Sequence, residues 1–333
     1  MSRIEVLAPG LLTTVQDLGR EGFGPLGVSP SGAADPIALH VGNRLVGNAE
    51  GAAGLEMTLL GGTFRFPEGA VAALTGSDFG ATLDSVPVAP WASFEAKPGQ
   101  TLRLGPTRSG ARCYLCVQGG IAVKLFLGSA STHLLSGLGG HEGRALRKGD
   151  VLQIGSSAAL SRAPFRKRTV AAKALDALAP RKVLRVTPGP QSDRFPEAAH
   201  KLFYSSTYRV AEESNRMGLR LEGAAALEGG GAEMISEGVS LGAVQITAAG
   251  LPIILFVEQQ TTGGYAKIAN VISADFSSLG QLRPRDEVRF ERVDWKTARS
   301  LLRKQENLLA SGEWMVGNRG KRMKTKAFRG AKI

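Results

Sequence analysis

The chain has 333 residues, of which 43% are hydrophobic and 21% charged, which is typical of a folded globular protein and excludes a disordered one. The length allows one large or two ordinary domains. The net charge of +12 does not indicate a nucleic-acid surface, because most of it lies at one end of the chain: twelve Lys/Arg and three Asp/Glu over 292–333 supply +9. Aromatic residues, at 6%, are also too few for base-stacking platforms. We therefore do not expect nucleic acid as a partner. The basic stretch 321–329 leaves RNA or an acidic protein as an alternative.

The sequence opens on Met-Ser-Arg-Ile-Glu-Val and contains neither a secretory pattern nor an apolar run long enough to span a bilayer. We therefore expect a cytoplasmic protein that does not enter the membrane.

Short apolar segments bounded by Gly, Pro, Asp or Asn predict a mainly β fold with tight connections. The ten strongest lie at 3–7, 62–66, 70–75, 101–105, 111–117, 151–155, 183–187, 242–247, 252–257 and 287–292. Three helices are predicted. The first is capped by Asp35, starts with Pro36 and ends at Gly47, and the other two cover about 196–204 and 295–309. Trp295 is expected on the inner face of the last helix.

Cys113 and Cys116 have the C-x-x-C spacing of a redox pair or of half a metal site. The surrounding residues predict a strand, in which positions three apart point to opposite faces. Since no second ligand pair is present, we interpret both cysteines as small core residues and predict no metal site.

The two halves of the chain share the order of four segment types, which predicts two copies of one β-barrel unit. For example, the strand 70–75 and the polar segment 75–80 correspond to the strand 252–257 and the polar segment 260–265. We place an N-terminal unit at 1–155, a linker or surface excursion at 156–182, a C-terminal unit at 183–292, and a helix with a basic tail at 293–333.

The segment QQTTGGYAK, residues 259–267, follows the most apolar run of the chain. A hairpin would account for the two glycines and for threonines paired across strands. An anion cradle would account as well for Lys267, which supplies a point charge, and for Gln260. We favour the cradle.

Several motifs resemble the allophanate hydrolase subunit 2-like family. They are TTVQDLGREGFGPLGVSPSGAADPIALHVGNRLVGN, GLEMTLLGG, NRMGLRLEG, ISEGVSLGAVQI and QTTGGYAKIANVISADFSSLGQLRP, and together they cover about residues 3–292. The family includes the C component of ATP-dependent 5-oxoprolinase, the antagonist of a sporulation kinase inhibitor, and part of the urea carboxylase carboxyltransferase domain. The resemblance implies two cyclophilin-like β-barrel units with a few short helices, and a partner of related fold. Gln259, Asn215 and Ala130 depart from the residues usual in the family.

The candidate site combines the cradle with residues that the resemblance points to. We expect Lys267, Glu237 and Asp275 to be catalytic, with the two carboxylates beside the loop of Lys267. By its motif, Arg216 is expected to hold a substrate carboxylate in a bidentate fork. The other candidate binding residues are Asn215, Gln260, Thr261, Thr262, Gly263, Gly264, Tyr265, Ser31 and Asp35. Asp35 has capping of its helix as the alternative role. Glu56, in an apolar strand, is expected to be hydrogen-bonded.

The resemblance implies the C component of an ATP-dependent 5-oxoprolinase, a hydrolase that acts on the lactam of 5-oxoproline together with a B-type partner and a lactam-binding A-type partner. One alternative is the carboxyltransferase component of a biotin-dependent urea or amide carboxylase, which would use carboxybiotin carried by a partner. The other is a non-catalytic regulator that binds a kinase-inhibitor-like protein. Neither a Walker loop nor a biotinylation motif is present, so either cofactor site would involve unfamiliar loops or a partner chain.

Overall fold

The computed structural model describes residues 2–156, 165–223, 225–229 and 234–317. The predicted basic tail, 321–329, and part of the predicted linker lie outside the described residues. The described chain is mainly β with a few short helices, as predicted.

The N-terminal half contains twelve strands and one long helix. The strands are β1 (Arg3–Ala8), β2 (Leu12–Gln16), β3 (Gly54–Thr58), β4 (Thr63–Arg65), β5 (Ala70–Gly76), β6 (Thr82–Leu83), β7 (Val86–Pro87), β8 (Ala92–Ala96), β9 (Thr101–Arg103), β10 (Arg112–Val117), β11 (Ile121–Ala122) and β12 (Val151–Ile154); the helix is α1 (Pro36–Val46). Helix α1 begins and ends as its sequence predicts. The Asp35 carboxylate accepts from the Ala38 amide at 3.0 Å, and Gly47 closes the helix with φ +82°.

The rest of the described chain supplies the remaining strands and helices. They are β13 (Arg168–Val170), α2 (Ala172–Leu178), β14 (Val183–Pro188), α3 (Glu197–Ser205), β15 (Tyr208–Val210), β16 (Gly218–Gly223), β17 (Glu237–Gly238), β18 (Ala243–Ile246), β19 (Pro252–Leu255), β20 (Thr262–Gly263), β21 (Lys267–Val271), α4 (Phe276–Gly280), β22 (Glu287–Arg292), α5 (Trp295–Ser311) and β23 (Met315–Gly317). The predicted linker differs from expectation because it contains β13 and α2. Strand β13 pairs with β8 and β23, so it extends an N-terminal sheet.

The strands form three main sheets. Two seven-stranded sheets, ordered β11-β12-β1-β4-β9-β6-β7 and β2-β3-β10-β5-β8-β13-β23, enclose the N-terminal core. In the C-terminal half, β14-β21-β18-β19-β16-β15-β22 close into a barrel, and β17 and β20 form a separate two-stranded ribbon. Closure satisfies the hydrogen bonds of strands that would otherwise be sheet edges.

Cys113 and Cys116 are buried on opposite faces of β10, as the strand periodicity predicts. Cys113 packs into the N-terminal sheet core, whereas Cys116 contacts the cluster around α1. Burial raises the pKa of both thiols, which keeps them protonated and unreactive. Both behave as core residues.

Helices α3 and α5 confirm the two later helix predictions, with one correction. Asp294 caps α5 by accepting from the Thr297 amide at 2.7 Å, but Trp295 is 63% exposed and does not face inward. The helix is held instead near its C-terminal end, where Leu308 and Leu309 pack against the α1 cluster. None of the helices in the described residues has both the length and the apolar character that crossing a membrane requires.

The two halves meet at α1 and α4. A side chain at Gly280 would come within 2.2 Å of the Ala34 carbonyl oxygen, so only glycine permits this approach. Ala34 itself packs into the core of the C-terminal barrel. The close contact brings polar residues of both halves together, and these residues include several of the predicted site residues.

Candidate active site

Lys267 is a buried strand residue rather than a lysine on an exposed loop. It begins β21, only 2% of it is exposed, and its Nζ lies 2.7 Å from Glu237 Oε1. The ammonium also donates to the Tyr265 carbonyl at 3.3 Å. Lys267 therefore lies at the start of a barrel strand and not on the loop itself, because barrel pairing fixes its backbone and its side chain is buried.

Glu237 is the counter-ion of Lys267. The hydrogen bond from Lys267, helped by one from Gln191, lowers the pKa of Glu237 and keeps it ionised. Gln191 bridges both partners, since its Nε2 donates to Glu237 at 2.7 Å and its Oε1 accepts from the Lys267 amide at 3.2 Å. The result is a hydrogen-bonded ion pair in which the carboxylate neutralises the buried ammonium.

The segment 260–265 contains β20, one strand of the ribbon, and adjoins the ion pair. Thr262 and Gly263 pair with Gly238 and Glu237, and the Thr261 carbonyl accepts from the Val239 amide at 3.1 Å. The segment is an antiparallel hydrogen-bonded ribbon with Lys267 at its base, and the anion cradle stays a prediction. Gln260, Thr262 and Tyr265 are exposed, Thr261 and Gly264 are half-buried, and Gly263 is buried.

Asp275 does not lie beside this loop. It comes after the end of β21, whereas Lys267 begins that strand, and the strand alone spans about 13 Å. The Asp275 carboxylate is buried and accepts from the Arg185 amide at 2.8 Å and from Arg185 Nε at 3.0 Å. These contacts assign it a structural ion pair and not the expected role next to Lys267.

Arg216 lies in the contact between the two halves, and protein groups already occupy its fork. Its Nε donates to Glu258, its Nη1 to Glu56, and its Nη2 to the Gly32 carbonyl at 2.7 Å. The expectation that Arg216 holds a substrate carboxylate therefore does not fit the geometry. Asn215 is a turn residue, since its Oδ1 accepts from the Met217 amide at 2.8 Å.

Glu56 is buried and fully hydrogen-bonded, as predicted for a carboxylate in an apolar strand. Its Oε2 accepts from the Tyr114 hydroxyl at 2.6 Å and from the Ala34 amide at 2.8 Å. Burial opposes its ionisation, but the charges of Arg216 and Arg112 outweigh burial and lower the pKa of Glu56. Glu56 is therefore a charged centre that binds the two halves together.

Asp35 belongs to this same contact, whereas Ser31 forms its hydrogen bond within the N-terminal half. Asp35 caps α1 and also accepts from Gln281 Nε2 at 2.7 Å, and burial raises its pKa. Ser31, with φ +56°, donates to the Thr132 carbonyl at 2.7 Å. Asp35 and Gln281 also border a cavity of about 450 Å³ between the halves.

Within the described part of the chain, no three His, Cys, Asp or Glu side chains are grouped so that they would hold a metal ion. The ionic chemistry near the ribbon comes from Lys267 and Glu237.

Comparison with known proteins identifies the family. The model of the carboxyltransferase domain, subdomain A and B, matches residues 26–292. The chain belongs to this family. It is 36% identical over 306 residues to the C component of 5-oxoprolinase from Haemophilus influenzae, covering 91% of this chain and 95% of that protein. It is 36% identical over 315 residues to the C component of 5-oxoprolinase from Escherichia coli, covering 95% and 99%.

A solved structure extends the comparison. The urea amidolyase of K. lactis superposes with a TM-score of 0.83 at 33% identity, over 92% of this chain. This chain spans only 20% of the length of the amidolyase. The carboxyltransferase-domain fold is therefore found both as a separate chain and as one part of a much longer protein.

Sequence reasoning missed two glutamines of this carboxyltransferase-domain chain, and it noted Gln259 only as a departure from the family. Gln191 bridges the ion pair, and the buried Gln245 reaches the ribbon. One signal for Gln245 was available, because it interrupts the apolar strand Ala-Val-Gln-Ile. Gln191 lies in a loop 76 residues before Lys267, and no local pattern connects the two.

Proposed function

We propose that this chain is the C component of an ATP-dependent 5-oxoprolinase and works with a B-type partner and a lactam-binding A-type partner. The observation that carries the proposal is that this chain aligns with nearly the whole length of two relatives. Two relatives named as the C component of 5-oxoprolinase align over 95% and 99% of their own length, so the chain has the extent of that component.

The Lys267–Glu237 pair supplies the chemistry of the proposed site. Lys267 is held in place by β21, while Glu237 is on the ribbon and its side chain is 43% exposed. An anionic ligand that displaces Glu237 would meet a fixed ammonium beside the Gly263–Gly264 backbone. Lys267 would then stabilise negative charge that develops during amide cleavage, and the displaced carboxylate would be available to accept a proton from water.

Phosphate prefers a compact ammonium together with backbone amides, and Lys267 would supply the ammonium. ATP, when bound in the complex, would provide the driving force for opening an unstrained amide. In this scheme Lys267 and the ribbon hold the anionic groups, and the remainder of the nucleotide site lies with the partner chains.

Reconstitution tests this proposal. The chain is mixed with its B-type and A-type partners, and ATP hydrolysis and glutamate formation are measured with and without 5-oxoproline. We expect lactam-dependent ATP hydrolysis only when all three chains are present. Hydrolysis that is indifferent to the lactam, or to omission of this chain, would contradict the proposal.

The likeness to urea amidolyase supports a second candidate, carboxyl transfer from carboxybiotin to urea or a related amide. Both reactions bring an anionic oxygen-rich group to an amide, so the same ion pair would serve. The test supplies a carboxybiotin donor and measures carboxylation of urea by the chain and by the complex. Transfer to urea without any effect of 5-oxoproline on ATP hydrolysis would favour this candidate over the first.

A further inference from the structure

Two buried glutamines near the ribbon carry side-chain atoms without partners. Gln245 is 2% exposed, and its Nε2 has no hydrogen-bond partner among the described residues. Gln259 is 5% exposed, and within the same residues its Oε1 likewise has none. One atom is a donor and the other an acceptor. Buried polar atoms are normally paired, so such atoms call for an explanation.

Both amides lie against the ribbon. A Cβ placed on Gly263 would come within 2.6 Å of Gln245 Nε2, so the amide reaches the backbone of β20. Gln259 Nε2 donates to the Val239 carbonyl at 3.3 Å, which fixes this side chain on the residue that follows β17.

Gln245 is also close to the ion pair, and Gln259 is joined to its neighbourhood through Val239, two residues after Glu237. Gln245 on β18 is the direct partner of Lys267 on β21, so the two residues are neighbours across the sheet. Glu237, the counter-ion of Lys267, pairs with Gly263 in the ribbon. The free donor and the free acceptor therefore belong to the same local structure as the fixed cation.

We infer that Gln245 and Gln259 recognise the edge of a cis amide, in which C=O and N–H point the same way. The Gln245 amide nitrogen donates to the carbonyl oxygen, and the Gln259 oxygen accepts from the N–H. A lactam, urea and the ureido ring of biotin all present such an edge. The assignment of the lactam of 5-oxoproline rests on the proposed function, whereas recognition of the amide edge does not. The two glutamines are binding residues for specificity, and Lys267 attracts the anionic part of the ligand.

The test uses Gln245→Met and Gln259→Met, because methionine keeps the volume and removes the hydrogen-bonding atoms. The matched control is Gln16→Met. Gln16 is also buried with an unpartnered Oε1 among the described residues, but it lies on β2 of the N-terminal half and donates to Thr14 and Thr132. Thermal unfolding is followed for the full chain. The dissociation constants of 5-oxoproline, urea and biotin are measured by calorimetry for the assembled complex.

We expect both site variants to bind the amide ligand at least about tenfold more weakly. The Tm of Gln245→Met should stay constant or rise, since an unsatisfied polar atom has been removed. Gln259→Met also loses its hydrogen bond to the Val239 carbonyl, so its Tm should fall, but by no more than that of the control. The control should lower Tm and leave binding unchanged. N-methyl-5-oxoproline, which lacks the N–H, should bind wild type about as weakly as 5-oxoproline binds Gln259→Met, and the two losses should not add.

The outcomes separate this inference from the proposed function. Wild-type affinity in both glutamine variants, or no binding of any of the three ligands by the wild-type complex, overturns the inference. If both glutamine variants keep wild-type affinity and 5-oxoproline-dependent ATP hydrolysis is present, the inference fails and the proposed function is supported. If urea or biotin binds in a glutamine-dependent way and the lactam has no effect on ATP hydrolysis, the amide recognition stands and the proposed function fails.

Discussion

At the scale of the residue, Lys267 shows how burial changes the expected effect of a substitution. Because the side chain is buried, truncation to alanine would remove packed methylene groups as well as charge. Lys267→Met keeps most of that volume. Glu237 loses its ion-pair partner in this variant, but its side chain is partly exposed and water can solvate it, so we expect little change in Tm.

In the assembled complex, Lys267→Met should lower turnover about a hundredfold, on the order of 3 kcal/mol of lost transition-state stabilisation. Lys182→Met is the matched control, because Lys182 also forms an ion pair, with Asp286 at 3.1 Å, but its side chain is 64% exposed. Turnover and melting curves are measured for both variants. Equal turnover in wild type and Lys267→Met would remove the ion pair from the active site.

Arg216 illustrates the opposite case, a charge whose role is structural. Arg216→Met leaves Glu56 and Glu258 buried without their shared cation, so we expect a loss of about 3–5 kcal/mol in the free energy of unfolding. Arg285→Met, at an ion pair exposed on both sides, should have no measurable effect. Urea unfolding of the two variants makes the comparison. A small loss in Arg216→Met would show that the buried network contributes little.

At the scale of the element, substitution of two glycines tests the role of the ribbon formed by β17 and β20. A methyl group at Gly263 would meet Gln245 Nε2 at 2.6 Å and Gln260 Nε2 at 2.9 Å, which are the mobile ends of side chains. Gly263→Ala should therefore displace the glutamines at small cost in stability. On the opposite strand, a methyl group at Gly238 would meet no described atom within 4 Å, and Gly238→Ala should be neutral.

Activity of the complex and thermal unfolding are recorded for the two glycine variants. We expect Gly263→Ala to lose at least about tenfold in kcat/KM with little change in Tm, and Gly238→Ala to match wild type. If the two variants are equally active, the space between the ribbon and Gln245 has no role in the reaction.

At the scale of the whole molecule, the contact between the halves depends on charged Glu56. Its pKa in the folded protein lies below its usual value of 4.5, so its contribution to stability is fully present above about that pH. The contribution is lost as the pH falls through the lowered pKa. Asp35 acts in the opposite sense, because its raised pKa favours folding in its protonated form.

Glu56→Gln should therefore be less stable than wild type near neutral pH, and the difference should shrink as the pH drops below about 4.5. The free energy of unfolding is measured by urea titration at a series of pH values, with Glu5→Gln as a control at a surface ion pair. A difference between wild type and Glu56→Gln that does not vary with pH would contradict this account. Because the network spans both halves, we also expect a single cooperative transition.

Much of the local structure was determined by the sequence alone. Asp35, Pro36 and Gly47 delimit α1, and Asp294 starts α5, because caps act through backbone groups a few residues away. The opposite orientation of Cys113 and Cys116 follows from the period of a strand. The mainly β fold could be predicted for the same reason, since each strand carries its own pattern and its own boundaries.

The site was decided by tertiary structure. Arg216 pairs with Glu56 across 160 positions, and Gln281 donates a hydrogen bond to Asp35 across 246, so no local pattern shows that these groups meet. Lys267 is buried because closure of the barrel places its strand between β14 and β18. Polar residues interact with whatever the fold brings near, and a hydrogen bond depends on distance and angle rather than on separation along the chain. The sequence therefore indicated which residues have suitable chemistry, and packing determined which of them share a site.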